Sequence, residues 1–276
     1  MSTVRAAVAP GPGGLLVRAG VFAYVGLLVA LPLGALLQSG LGEGPAALWR
    51  AITAPAAADA LLLTLGTAGV MALVNAVMGT ATAWVLVRYE FPGRGLISGL
   101  VDLPFAIPTL VTGVMLVLLF GPQSALGSWL ADHGFPVAYA TPSIVLALLF
   151  ITVPFVVRAV EPVLMEQDPA EEEAARTLGA STLTVFRRVL LPPILPAIVS
   201  GTIRSYARAL GEFGSIVVVS GNIPYRTLTG PIYVFGEIES GRAEVAAAVS
   251  VVLLAVALAL TFGANAVERL AGVRRA

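Results

Sequence analysis

The apolar positions of this chain fall into six long runs separated by short polar segments. A helix needs about 20 apolar residues to cross a bilayer, and each run approaches or exceeds that length. The first is Ala19–Leu37. The second, Ala60–Val87, is long enough to tilt and carries Asn75 near its middle. The third, Leu96–Phe120, has Asp102, Pro104 and Pro108 near its start. The fourth is Tyr139–Val157, the fifth Ile194–Val219 with Arg204, Arg208 and Glu212 inside it, and the sixth Ala243–Val267. The pattern predicts an all-α membrane protein of about six transmembrane helices. A cleaved signal peptide has a shorter apolar core and a small-residue cleavage site, so the first run reads as a retained helix.

Composition sharpens this reading. Of 276 residues 58% are hydrophobic and only 12% charged, against about 25% charged in a soluble domain. Too few charges exist to clothe a soluble surface. A disordered chain, a nucleic-acid binder and an ordinary cytosolic enzyme are excluded. Net charge is zero, with 16 basic and 16 acidic residues. Every basic residue is Arg. The missing Lys removes phosphate loops of the Walker type, Schiff-base lysines and Ser–Lys dyads. There is no Cys, and His133 is the only His, so thiolate and histidine-cluster metal sites are out. His133 stands beside Asp132 in the second outer loop and reads as a surface residue.

Arginines set the orientation, because loops on the cytoplasmic side collect them. With the N-terminus inside, inner segments hold eleven: Arg5, Arg18, Arg88, Arg94, Arg158, Arg176, Arg187, Arg188, Arg269, Arg274 and Arg275. Outer loops hold three: Arg50, Arg226 and Arg242. Both termini are expected in the cytoplasm, with tails at 1–18 and 268–276 and one membrane domain over 19–267. No fixed-period repeat, low-complexity segment or soluble domain interrupts it. The third outer loop, Gly221–Gly241, is read as a loop with interfacial aromatics.

The most polar stretch is the inner loop Arg158–Pro193. Asp168 suits an N-cap and Pro169 the first helical position. Glu171, Glu172 and Glu173 fill the first turn, where the helix dipole favours anions. Leu178 ends the helix and Gly179 fits the left-handed position beyond it. Ser181 caps a second helix through Leu191, which Pro192 and Pro193 are expected to stop. Ala174, Ala175 and Gly179 are small enough for another protein to approach closely. On these residues alone, a docking surface and a solvated connector are equally good readings.

The run "EEAARTLGASTLTVFRRVLLPP" resembles the EAA loop of ABC importer permeases. Glu173, Ala174, Ala175 and Gly179 stand at that pattern's spacing, followed by Val189, Leu191 and Pro192, with Val189 replacing the usual Ile. "RYEFPGRGL", "DLPFAIPT", "ITVPFVVRAVEPVL" and "RALGEFGSIVVVSGNI" are similar to the permeases of sulfate/thiosulfate ABC importers, and "LPFAIPT" with "SGNI" to their T type. Molybdate permeases share the Gly-Glu-Phe-Gly segment. The resemblance implies a type I importer permease fold in a bacterial inner (plasma) membrane, multi-pass, with 161–193 as coupling loop. It implies half of a translocation pore and no enzyme. The partners it implies are an ABC ATPase dimer, a second permease (W-type, with a homodimer as the other arrangement), an extracytoplasmic sulfate-binding protein and the sulfate/thiosulfate oxyanion. Nucleic acid is not among them. The chain would carry no cofactor, ATP and Mg being bound by the ATPase. A molybdate/tungstate permease is the nearest alternative. An ion-coupled anion carrier is a further one, and it leaves the EAA-like loop unexplained.

Polar groups inside the spans are costly and so face a partner or a cavity. Arg204, Arg208 and Glu212 are spaced by four and share a helix face. Arg208–Glu212 reads either as a structural pair or as part of an anion pathway, with Arg204 or Arg208 supplying positive potential. Gly211 and Gly214, flanking Glu212, suggest tight packing or a bend. Pro104 and Pro108 free backbone carbonyls, which Thr109 and Thr112 could re-satisfy; a kink or a discontinuous helix follows. Asp102 is read as an interface anchor or a partner of Arg94, and Asn75 as an interhelical hydrogen-bonding group.

Overall fold

The computed structural model describes residues 12–270, all in helices and their connections. The ends of both expected tails, including Arg5, Arg274 and Arg275, lie outside the described residues. Twelve helices follow in order: α1 (Gly14–Leu41), α2 (Pro45–Thr53), α3 (Pro55–Arg88), α4 (Arg94–Ala106), α5 (Thr109–Phe120), α6 (Ala125–Asp132), α7 (Thr141–Glu166), α8 (Pro169–Thr177), α9 (Thr182–Leu210), α10 (Gly214–Val219), α11 (Gly230–Glu239) and α12 (Ala243–Leu270). Five of these, α1, α3, α7, α9 and α12, are long and apolar enough to cross a membrane. Helical structure continues from Gly14 back to Pro12, within the expected tail 1–18.

The bundle is built on α7. Ala68, Met71 and Ala72 of α3 pack with Ile144 and Leu148, while Ala83 and Leu86 pack with Val156, Val160 and Leu164. Helices α3 and α7 therefore run parallel. Helix α9 lies antiparallel to both, with Ile194 beside Leu86 and Ala209 and Leu210 beside Met71. Small residues permit this closeness, since helices in lipid associate through tight backbone approach. A Cβ on Gly79 would stand 2.8 Å from the Val156 Cβ, and one on Gly201 would stand 3.0 Å from the Val156 Cα. Helix α1 is apolar and open on nearly every side; only Gly40, which meets the Ala247 carbonyl of α12, is buried.

The third span is not one kinked helix. Helices α4 and α5 meet at 114° across Ile107 and Pro108. Pro108 cannot donate a backbone N–H, and Ile107 before it is extended at ψ 126°. Helices α3 and α7 finish at the same end of the bundle, so the chain must change ends between Arg88 and Thr141. The bent pair makes that crossing, bringing the spans to six.

The fifth span also departs from expectation in two ways. Pro192 and Pro193 do not stop the helix begun at Ser181; α9 runs on to Leu210. A wide π turn over Phe186–Leu190 precedes the prolines, with the Leu191 N–H donating back to the Phe186 carbonyl. The prolines thus take first-turn positions after a bulge, where their missing N–H groups are tolerated. At its other end the span breaks at Gly211–Phe213, and α10 is a separate short helix. The outer Gly221–Gly241 stretch contains a helix, α11. Its Tyr233 is buried with Ala57, Ala60 and Val249 rather than lying at an interface.

Candidate coupling surface and the charges inside the spans

Helix α8 forms for local reasons. The Asp168 side chain accepts from the Ala170 N–H at 2.9 Å, and Pro169 opens the helix. Gly179 is left-handed at φ +84°, and the Ala180 N–H reaches the Ala175 carbonyl at 3.1 Å, the Schellman closure. Ser181 then caps α9 by accepting from the Thr184 N–H at 3.3 Å. One side of this helix–turn–helix faces outward. Glu173, Ala174 and Gly179 are exposed, Ala175 is half-buried, and Leu178 is 89% exposed at the turn. Leu178 thus stands in the open beside the small residues Ala174 and Gly179. A cleft of about 400 Å³ opens alongside, lined by Trp84, Arg88, Tyr89, Pro169, Glu173 and Arg176 among others.

Of the remaining coupling-loop candidates, Pro192 is exposed in the first turn after the π turn. Val189 and Leu191 are half-buried in the π turn and the start of the long helix, and Leu191 packs against the core at this end. The residue that sequence reasoning passed over is Glu172. It is buried, and its two oxygens take Arg88 Nε at 2.6 Å and Arg176 Nη2 at 3.0 Å. The Glu172–Arg176 spacing of four signalled the second contact; nothing local signalled the first.

Inside the spans, Arg208 Nη2 pairs with Glu212 Oε2 at 3.0 Å, as the spacing predicts. The other Glu212 oxygen accepts from the N–H and the hydroxyl of Ser215, each at 3.0 Å, and so caps α10. Arg204 does not share this carboxylate. It reaches Glu268 of α12 at 2.6 Å, and Ser200 donates to the same oxygen. Asn75 Nδ2 donates to Thr152 Oγ1 at 2.8 Å, joining α3 to α7. Asp102 pairs with Arg158 of α7 at 2.6 Å, not with Arg94, and Arg158 also holds Glu161. Thr109 sits in the first turn of α5 against Gly214. Thr112 Oγ1 is buried without a partner, so it does not re-satisfy a carbonyl freed by proline. Among the described residues no group of three or more acids or His is placed to hold a metal.

Residues 75–271 match the family described as the inner membrane component of binding-protein-dependent transport systems. The chain belongs to this family. It is 41% identical over 251 residues to the sulfate transport system permease protein CysT of Escherichia coli, covering 91% of each chain. It is 42% identical over 245 residues to the probable sulfate transport system permease protein cysT of Nephroselmis olivacea, covering 89% of this chain and 86% of that one. Among solved structures, a bacterial alginate ABC transporter in complex with its alginate-bound periplasmic protein aligns over 92% of this chain and 93% of that chain, with a TM-score of 0.73 at 19% identity. The MetNI methionine ABC transporter aligns over 77% of this chain and 94% of that chain, with a TM-score of 0.58 at 20% identity. These two likenesses establish the fold of an ABC importer permease. As an inner membrane component of this family, the chain is a multi-pass transport protein and not an enzyme. Such components work with a separate binding protein and the ATPase of an ABC system.

Proposed function

We propose that this chain is the T-type permease of an ATP-driven sulfate/thiosulfate importer. It forms half of the pore, with a second, W-type permease supplying the other half. The ATPase docks on the open face of α8, through Glu173, Ala174, Ala175 and Gly179. Both termini and the α8 end lie in the cytoplasm, where Arg88, Arg158, Arg176, Arg187 and Arg188 gather. The binding protein delivers its oxyanion at the opposite end. ATP binding closes the ATPase pair and moves α8, the pore opens toward the loaded binding protein, and hydrolysis returns it. Pairing Arg208 with Glu212 lowers the cost of a charge between spans while leaving Arg208 part-exposed, so it can present positive potential to a passing anion without binding it tightly.

The observation that carries this reading is the exposed Glu173–Gly179 face, held outward with Leu178 at its tip. Glu173→Lys reverses the charge of that face, and Gly179→Asp puts a side chain on the left-handed turn. Both variants should insert into the membrane normally and lose the co-purifying ATPase. ATPase recovered at the wild-type ratio with both would overturn the docking surface. Substrate is tested by radiolabelled sulfate uptake into proteoliposomes holding the whole transporter and binding protein. Uptake should need internal ATP and be blocked by thiosulfate but not molybdate. Blockage by molybdate alone would move the substrate, and uptake without ATP would overturn the importer reading.

A further inference from the structure

Helix α8 buries a single side chain. Its sequence offers no large apolar side chain to bury, and Glu172 is its only buried residue, 4% exposed between exposed Glu171 and Glu173. The carboxylate is shared between two guanidinium groups of different standing. Arg176, at 3.0 Å, lies one turn along the same helix and has a half-exposed side chain. Arg88, at 2.6 Å, is the last residue of α3, 84 positions away in the chain, and its side chain is 14% exposed. Arg88 also points Nη2 at the Gln167 carbonyl, in the joint between α7 and α8, at 3.5 Å.

By the chain alone, α8 hangs from α7 through Gln167–Asp168 and from α9 through Leu178–Ser181. Both joints are short turns closed by local hydrogen bonds, the first by Asp168 and the second by Gly179 and Ser181. The Arg88–Glu172 pair adds a third attachment, to a span with which α8 shares no covalent link nearby. A desolvated, charge-assisted contact of this kind fixes direction as well as distance, where an apolar contact would let the helix slide. Helix α3 is in turn packed on α7 and α9 along its length and bonded to α7 through Asn75 and Thr152. A displacement of α8 that reaches Arg88 therefore reaches the centre of the bundle.

We propose that Glu172 is the positioning residue that ties the ATPase-facing helix to α3, so that ATPase movement enters the pore through Arg88 and not only along the chain. The proposal rests on the docking reading of α8. It is tested on the complete transporter in proteoliposomes, with four variants: Glu172→Gln, Arg88→Gln, Arg176→Gln and Arg88→Lys. The first two should keep the ATPase at the wild-type ratio and keep basal hydrolysis. In both, the stimulation of hydrolysis by sulfate-loaded binding protein and the sulfate imported per ATP should fall about tenfold, the scale of a lost hydrogen bond to a charged group. Arg176→Gln, which breaks only the contact within α8, should leave both quantities near wild type. Arg88→Lys, which keeps the charge without the guanidinium fork, should fall between.

Wild-type coupling in Glu172→Gln and Arg88→Gln would overturn the proposal. So would an equal loss in Arg176→Gln, which would make the role one of local helix stability. Loss of the ATPase from Glu172→Gln or Arg88→Gln would make the pair part of the docking surface. Failure of both to assemble would make it a requirement of folding, and either result counts against transmission. Failure of the docking reading itself shows separately, as ATPase retained by Glu173→Lys and Gly179→Asp.

Discussion

Gly113 lies against the backbone of Ser215: a Cβ on Gly113 would stand 2.6 Å from the Ser215 carbonyl oxygen and 2.9 Å from the Val218 Cβ. The two residues follow the two breaks in the spans, at Ile107–Pro108 and at Gly211–Phe213. The broken third crossing and the broken fifth crossing therefore meet each other, α5 on α10, and each supplies the small surface the other needs.

Gly113→Ala should accordingly destabilise the protein. Backbone cannot retreat as a flexible side chain can, and overpacking of this kind costs about 1–3 kcal/mol. The melting temperature in detergent should drop. Gly66→Ala on α3, where nothing stands within 4 Å of the added Cβ, should leave it unchanged or raise it slightly. Equal behaviour of the two variants would show that the breaks are not in contact.

The Asn75–Thr152 bond gives a second expectation. Thr152 also donates to the Leu148 carbonyl at 2.7 Å, so its hydroxyl is fixed to receive Asn75. A double-mutant cycle with Asn75→Ala and Thr152→Val should give a coupling energy of about 0.6–2 kcal/mol, the range for interhelical hydrogen bonds in membranes. Additive losses would assign Asn75 its stability through other contacts.

Arg208 can be separated into its two roles. Arg208→Ala leaves the buried Glu212 carboxylate with Ser215 alone, a loss of about 1–3 kcal/mol. Adding Glu212→Gln removes the stranded charge and should return the melting temperature most of the way. If Arg208 also serves the anion pathway, sulfate uptake by the stabilised double variant should remain low. Uptake restored together with stability would reduce Arg208 to a structural partner.

At the opposite end, outside the spans, Arg242 holds the Glu237 carboxyl below the ordinary carboxylate range by a hydrogen bond, against the opposing effect of burial. A carboxyl lowered on folding contributes stability above its unfolded value, about 4.3, and loses that contribution as pH falls through the lower folded value. Melting temperature followed from pH 6 to pH 3 should therefore fall more steeply for the wild type than for Glu237→Gln. Parallel curves would show that the pair contributes nothing to folding.

Local chemistry was legible in the sequence wherever a feature depends on residues close along the chain. The lengths of the apolar runs predicted the spans. Asp168, Pro169, Gly179 and Ser181 predicted the helix–turn–helix, because caps and left-handed turns are closed by atoms a few residues apart. The spacing of four predicted Arg208–Glu212. Partners across the bundle were not legible. Asp102 pairs with Arg158 and not Arg94, Arg204 with Glu268 and not the Glu212 cluster, and Glu172 with Arg88. Each choice depends on which helix faces come together and at what height, which is set by small residues such as Gly79 and Gly201 pressing on Val156. The same holds for the breaks. Proline at 108 allowed either a kink or a full break, and the prolines at 192 and 193 looked like a stop. The first became a 114° turn and the second was carried through by a π turn. A proline's missing N–H is a local fact, but where the freed chain goes is decided by what packs against it.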